Sequence, residues 1–111
     1  MRRTAKVDPA ALEPPAHLSE RSKALWRQVV PDRAKSPGRL ALLQTALEAL
    51  DRADQARQVL DREGLFTTTP GSGVTHVHPA ARIEREARAL FLRAWTELGL
   101  EWDAVVDGRP D

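Results

Sequence analysis

The most ligand-like spacing in the chain is His76-Val77-His78. Alternate residues of a strand point the same way, so two imidazoles placed like this could share a metal ion. A catalytic zinc takes three protein ligands, and the third would have to come from the distant His17 or from a carboxylate. The competing role is structural, with His78 capping the helix that Pro79 opens and His76 exposed on a hairpin, and that role is expected. Glu48, Asp51, Asp54 and Asp61 could in principle form a carboxylate metal centre, but they alternate with Arg52, Arg57 and Arg62. A salt-bridged or solvated face is the stronger expectation. Pro70-Gly71-Ser72-Gly73 lacks the Lys-Ser/Thr that completes a phosphate loop and reads as a turn. The chain has no cysteine, which removes disulfide scaffolds, thiol catalysis and cysteine-based zinc sites. No segment assembles a nucleophile, its base and an oxyanion donor, so the expectation is a non-enzymatic protein needing no cofactor.

Charge points elsewhere. Of 111 residues 30% are charged and 41% hydrophobic, enough apolar material for one small domain. The net charge of +1 hides an uneven distribution. Residues 1–37 carry eight basic side chains (Arg2, Arg3, Lys6, Arg21, Lys23, Arg27, Arg33 and Lys35) against four acids. Residues 101–111 carry Glu101, Asp103, Asp107 and Asp111 against Arg109 alone. A basic front suits a polyanion such as DNA, and an acidic end suits a different partner. Trp102, set between two acids, is the candidate anchor there, whereas Trp26 and Trp95 sit on apolar helix faces and belong to a core. No apolar run approaches the ~20 residues of a membrane span, and Asp8-Pro9 interrupts any signal peptide, so an intracellular protein is expected.

Three helices must position these residues. Residues 1–17, with Pro9, Pro14 and Pro15, read as a flexible basic arm. Ser19 caps a first helix whose short stripe at helical spacing is Ser22, Leu25, Trp26, Val29 and Val30, and Pro31 should stop it. After a basic loop of about six residues, Ser36-Pro37 opens a second helix running to Glu63 and closed by Gly64. Leu65 to Thr69 and Val74 to His78, around the Pro/Gly turn, predict a β-hairpin, which two strands alone cannot stabilise. It must pack on the helices or pair across subunits. Pro79 to about Leu98 is a third, amphipathic helix carrying Arg82, Arg85 and Arg88, and Gly99 closes it. Residues 18–100 would form the folded domain and 101–111 an acidic tail.

The second helix carries two stripes. Leu40, Leu43, Leu47 and Leu50 make one; Leu42, Ala46, Ala49, Ala53, Ala56 and Leu60 make the other. Together they span roughly 200°, twice the ~100° that a single core requires. A neighbouring subunit against the second stripe is the expected cover, with wrapping by both shorter helices of a monomer as the alternative.

In order, Pro15-Ala16-His17-Leu18-Ser19, Trp26 with Val29-Val30, the long Leu/Ala/Asp helix ending Glu63-Gly64-Leu65, a Gly-containing hairpin, His78-Pro79 and Leu98-Gly99-Leu100 form a pattern. It resembles the small subunit of tailed-phage terminases, in the branch often found in prophages, over about residues 14–100. The chain departs from the family at Glu101-Trp102-Asp103, where a Thr-Pro-type segment and a basic residue usually follow. The resemblance implies a mainly helical, non-catalytic subunit that assembles as a homo-oligomeric ring. It would recognise double-stranded viral DNA in the host cytoplasm and hand it to the large ATPase–nuclease subunit. The rival class is a small helical DNA-binding transcriptional regulator, against which the six-residue loop counts: a helix-turn-helix has a turn of 3–4 residues.

Overall fold

A computed structural model describes residues 12–34 and 36–100. Their order is α1 (Glu20–Arg33), α2 (Pro37–Glu63), β1 (Phe66–Thr68), β2 (Thr75–Val77) and α3 (Pro79–Glu97). The chain is mainly helical, with one small antiparallel hairpin between the second and third helices, as the periodicities predict.

The caps sit where the sequence puts them. Ser19 Oγ accepts the Ser22 N–H at 3.1 Å, and Ser36 Oγ accepts that of Arg39 at 3.2 Å. His78 Nδ1 accepts the Ala80 N–H at 3.0 Å, with Pro79 behind it needing no partner. Gly64 ends α2 at φ +87°, which a Cβ would disfavour, although its ψ of 160° is not that of a left-handed helical residue.

One boundary differs. Pro31 lies inside α1, which continues to Arg33 instead of stopping. Proline in the last turn costs little more than one backbone bond there, and Val30 and Ala34 on either side of it are buried. The connection to α2 is therefore three residues, 34–36, not six. Turn length no longer argues against a helix-turn-helix, but the helix arrangement does. Each of α1 and the facing half of α2 is about 21 Å long. Crossing at 90–120° would hold Ser19 and Asp51 on the order of 30 Å apart. They are hydrogen-bonded at 2.6 Å, so α1 and α2 lie side by side as an antiparallel pair.

The two flanks of α2 are covered from within the chain. Leu40, Leu43, Leu47 and Leu50 join Leu18, Trp26, Val29, Val30 and Ala34 from the α1 side, with Trp95 of α3 and Leu98 just past its end. Phe91 stacks at a tilt on Trp95, ring centroids 5.2 Å apart. Both tryptophans are thus core residues, and the Trp26 indole N–H is satisfied by the Leu12 carbonyl at 2.9 Å. On the other flank α3 runs antiparallel to α2, since Arg39 donates to the Leu98 carbonyl while Ala56 and Leu60 meet Ala80.

The second stripe finds cover within the chain itself. Ala46, Ala49, Ala53, Ala56 and Leu60 are all buried by their own chain, and so are Ala80, Ala87 and Ala94 of α3. Small side chains on both helices let the backbones approach closely. Leu42 is half-buried against the main core. The two-sided pattern is satisfied by α1 and α3, and its burial does not require a neighbouring subunit.

Residues 12–17, expected from the sequence to belong to the arm, make defined contacts with the helices. Pro15 accepts the Leu18 N–H, His17 reaches Glu48 and Leu12 holds Trp26, so the segment from Leu12 onward belongs to the fold.

Candidate nucleic-acid interface

α1 brings three of the expected DNA-binding cations into view, and they are not equivalent. The Arg21 guanidinium pairs with Asp54 at 2.7 Å, across to α2. Lys23 pairs with Glu20 at 3.5 Å and its side chain is largely covered. Arg27 is exposed, and no carboxylate among the described residues pairs with it. Arg33 is the last residue of α1. Arg2, Arg3, Lys6 and Lys35 lie outside the described residues, as does Trp102.

The acidic face of α2 explains why Arg21 is occupied. Asp51 Oδ2 accepts the Ser19 N–H at 2.8 Å, and Oδ1 accepts the Ser19 and Ser22 hydroxyls at 2.6 and 2.7 Å. Burial pushes the Asp51 carboxyl upward, but the two serine hydroxyls, the Ser19 N–H and the nearby Arg21 outweigh it and leave its pKa lowered. One turn earlier, Glu48 is held below its ordinary value by hydrogen bonds from Gln44 at 2.9 Å and His17 at 2.7 Å. One turn later, Asp54 receives Arg21 and also Arg88 of α3 at 3.4 Å. Glu84 of α3 binds Arg88 at 3.1 Å and Arg57 at 3.4 Å, and Arg57 reaches Asp61 at 3.0 Å.

Asp51 and Asp54 therefore clamp α1 and α3, Glu48 holds His17 and Asp61 holds Arg57, and these carboxylates do not converge on an ion. No group of three metal-ligating side chains occurs among the described residues. His78 cannot offer a free nitrogen without breaking a contact, because Nε2 binds Glu63 at 2.8 Å while Nδ1 caps α3; His76 is exposed on β2. An open groove of about 590 Å³ runs past His17, Arg21, Asp51, Asp54 and Arg57. Its lining is mostly paired charge, unlike the apolar walls of a small-molecule pocket.

The third helix has cations of its own. Arg88 is tied to Asp54 and Glu84 and faces inward, so it does not extend the surface. Arg82 pairs with Glu86 at 2.9 Å, which raises its pKa further. Arg85 and Arg93 are exposed, and no carboxylate among the described residues pairs with either. At about 100° per residue, Arg82, Arg85 and Arg93 lie within roughly 80° of one another on the outer face.

Sequence reasoning expected a salt-bridged or solvated face here but did not name the partners: Ser19, Ser22 and Arg21 on one side and Arg88 on the other. A signal was present: Ser19 and Ser22 recur at three-residue spacing on α1, as Glu48, Asp51 and Asp54 do on α2. Spacing alone does not say that these rows face each other.

The family model described as phage terminase, small subunit, matches residues 22–104, three quarters of the chain and nearly all of its described helices and hairpin. Comparison with curated proteins and with solved structures gives no match.

Proposed function

The chain belongs to the phage terminase small-subunit family, and on that premise we propose that it recognises viral DNA for packaging. In this reading it is the non-catalytic partner that delivers double-stranded DNA to the large ATPase–nuclease subunit in the host cytoplasm. It acts as a homo-oligomeric ring of several copies. The observation that carries the proposal is the family match across the helical domain. The use of Glu48, Asp51 and Asp54 as structural clamps, and not as a catalytic set, is consistent with it.

DNA contact is assigned to the basic front. Arg27 on α1, Arg33 at its end, Lys35 after it in sequence and the N-terminal cations Arg2, Arg3 and Lys6 supply the charge. Arg21 and Lys23 contribute less, because each already has a carboxylate partner. One protomer carries few free cations, whereas a ring repeats them around its rim. Trp102 and the acidic residues after it are assigned to the large subunit.

The test is equilibrium binding of the full chain to double-stranded DNA from a packaging start, titrated across salt. Each phosphate neutralised contributes about −0.9 to the slope of log affinity against log salt. A steep slope is expected, together with stimulation of large-subunit ATPase activity. Absence of both would remove the reading.

A further inference from the structure

No Asp, Glu, Lys or Arg occurs between Glu63 and Arg82, in a chain that is 30% charged. That neutral stretch is the hairpin and its flanks, and it is where large apolar side chains are most exposed. Phe66 is 61% exposed and Val77 53%, and Leu65 and Val74 stand open beside them. Phe66 and Val77 are cross-strand partners, as are Thr68 and Thr75, so all four share one face. Every one of them is exposed.

The strand edges are open as well. Leu65 O accepts the His78 N–H at 2.6 Å, and Thr69 donates to Val74 O at 2.8 Å. By antiparallel alternation, the backbone groups of Phe66, Thr68, Thr75 and Val77 point outward along the two edges. The described sheet has only these two strands, and no lysine, proline or inward charge blocks either edge. Two strands with a bare apolar face are not stable on their own.

We infer that the hairpin is the contact by which a second copy of this chain docks, with Phe66 and Val77 at its centre. This rests on the ring reading above and names the surface that reading needs, now that α3 covers the alanine stripe of α2. Charge disfavours nucleic acid as the occupant, since the hairpin offers no Lys or Arg to a phosphate. The two edges are both open and are not equivalent. A closed ring of identical subunits uses two different surfaces of each copy, and two open edges supply such a pair. A neutral surface is also the part of this chain that another copy can approach without like-charge repulsion.

The experiment is native mass spectrometry of the full chain and of the double variant Phe66→Thr, Val77→Thr, with far-UV circular dichroism as the folding control. Threonine keeps strand propensity and removes the apolar face. Phe66→Lys, which places a like charge on every copy, is the second variant. Wild-type particles of several subunits, falling to the 12.3 kDa single chain in both variants at unchanged helicity, are the expected result. Variants that keep the wild-type mass would overturn the hairpin assignment and leave the ring reading standing. If those variants kept their mass but lost stimulation of the large subunit, the hairpin would instead serve that protein. A wild-type chain that is itself monomeric would overturn both.

Discussion

The Asp51 carboxylate holds Ser19 twice, through its backbone N–H at 2.8 Å and its hydroxyl at 2.6 Å. A residue in the middle of α2 thereby fixes the first turn of α1, where a negative charge also meets the positive end of the helix dipole. The same carboxylate satisfies the hydroxyl of Ser22, which is fully buried. The start of the helix that presents Arg27 is thus fixed in part by a side chain thirty-two residues beyond Ser19.

Asp51→Ala is expected to destabilise the domain by about 1–3 kcal/mol, because it strands the buried Ser22 hydroxyl and an N-terminal amide. Urea unfolding followed by tryptophan fluorescence measures this, since Trp26 lies in the core that α1 seals. An unchanged midpoint would mean that α1 is held by its apolar packing and the Arg21–Asp54 pair without help from Asp51.

Acid should weaken the same docking. The folded-state pKa values of Asp51 and Glu48 are lowered from 3.8 and 4.5 respectively. Their contribution is therefore complete above those ordinary values and is lost as pH falls through the lowered ones. Stability should hold at neutral pH and drop below about pH 4. The drop should be smaller in Asp51→Asn, which cannot titrate at that position. An equal drop in both proteins would place the acid sensitivity elsewhere.

Ala49→Glu should unfold the chain and not merely split an assembly. Ala49 is 1% exposed within its own chain, on the same stripe of α2 as Ala56 and Leu60, which meet Ala80 of α3. Burying an unpaired charge there costs about 3 kcal/mol or more. Loss of helical circular dichroism is the expected readout. A helical variant with a smaller particle mass would instead put this stripe between subunits.

Arg27 and Arg21 should separate in a charge-reversal test. Arg27→Glu is expected to weaken DNA binding with little change in melting temperature. Arg21→Glu should mainly lower stability, because it sets two acids against each other at the Asp54 contact. Equal effects of the two reversals on DNA affinity would contradict this division.

Local signals carried most of the fold. Ser19, Ser36, His78 and the prolines after two of them marked helix starts, and alternation around Pro70-Gly71-Ser72-Gly73 marked the hairpin. Pro31 misled because a helix tolerates a proline in its last turn when the residues around it are buried. The stripe from Ala46 to Leu60 showed that α2 has two covered sides without showing whose atoms cover them. Periodicity is a property of one helix, while partner choice is a property of the pair. For the same reason Arg21 read as a free cation, although Asp54 sits thirty-three residues further on.

The central claim is that a basic front carries the DNA, and the salt dependence of binding tests it most directly. Affinity of the full chain for packaging-site duplex should be compared with that of the variant Arg2→Ala, Arg3→Ala, Lys6→Ala, Arg27→Ala, with particle mass shown to be unchanged. The expected result is a loss of affinity and a shallower slope, by about 0.9 for each phosphate contact removed. An unchanged affinity and slope would contradict the account and direct attention to Arg82, Arg85 and Arg93 on the outer face of α3.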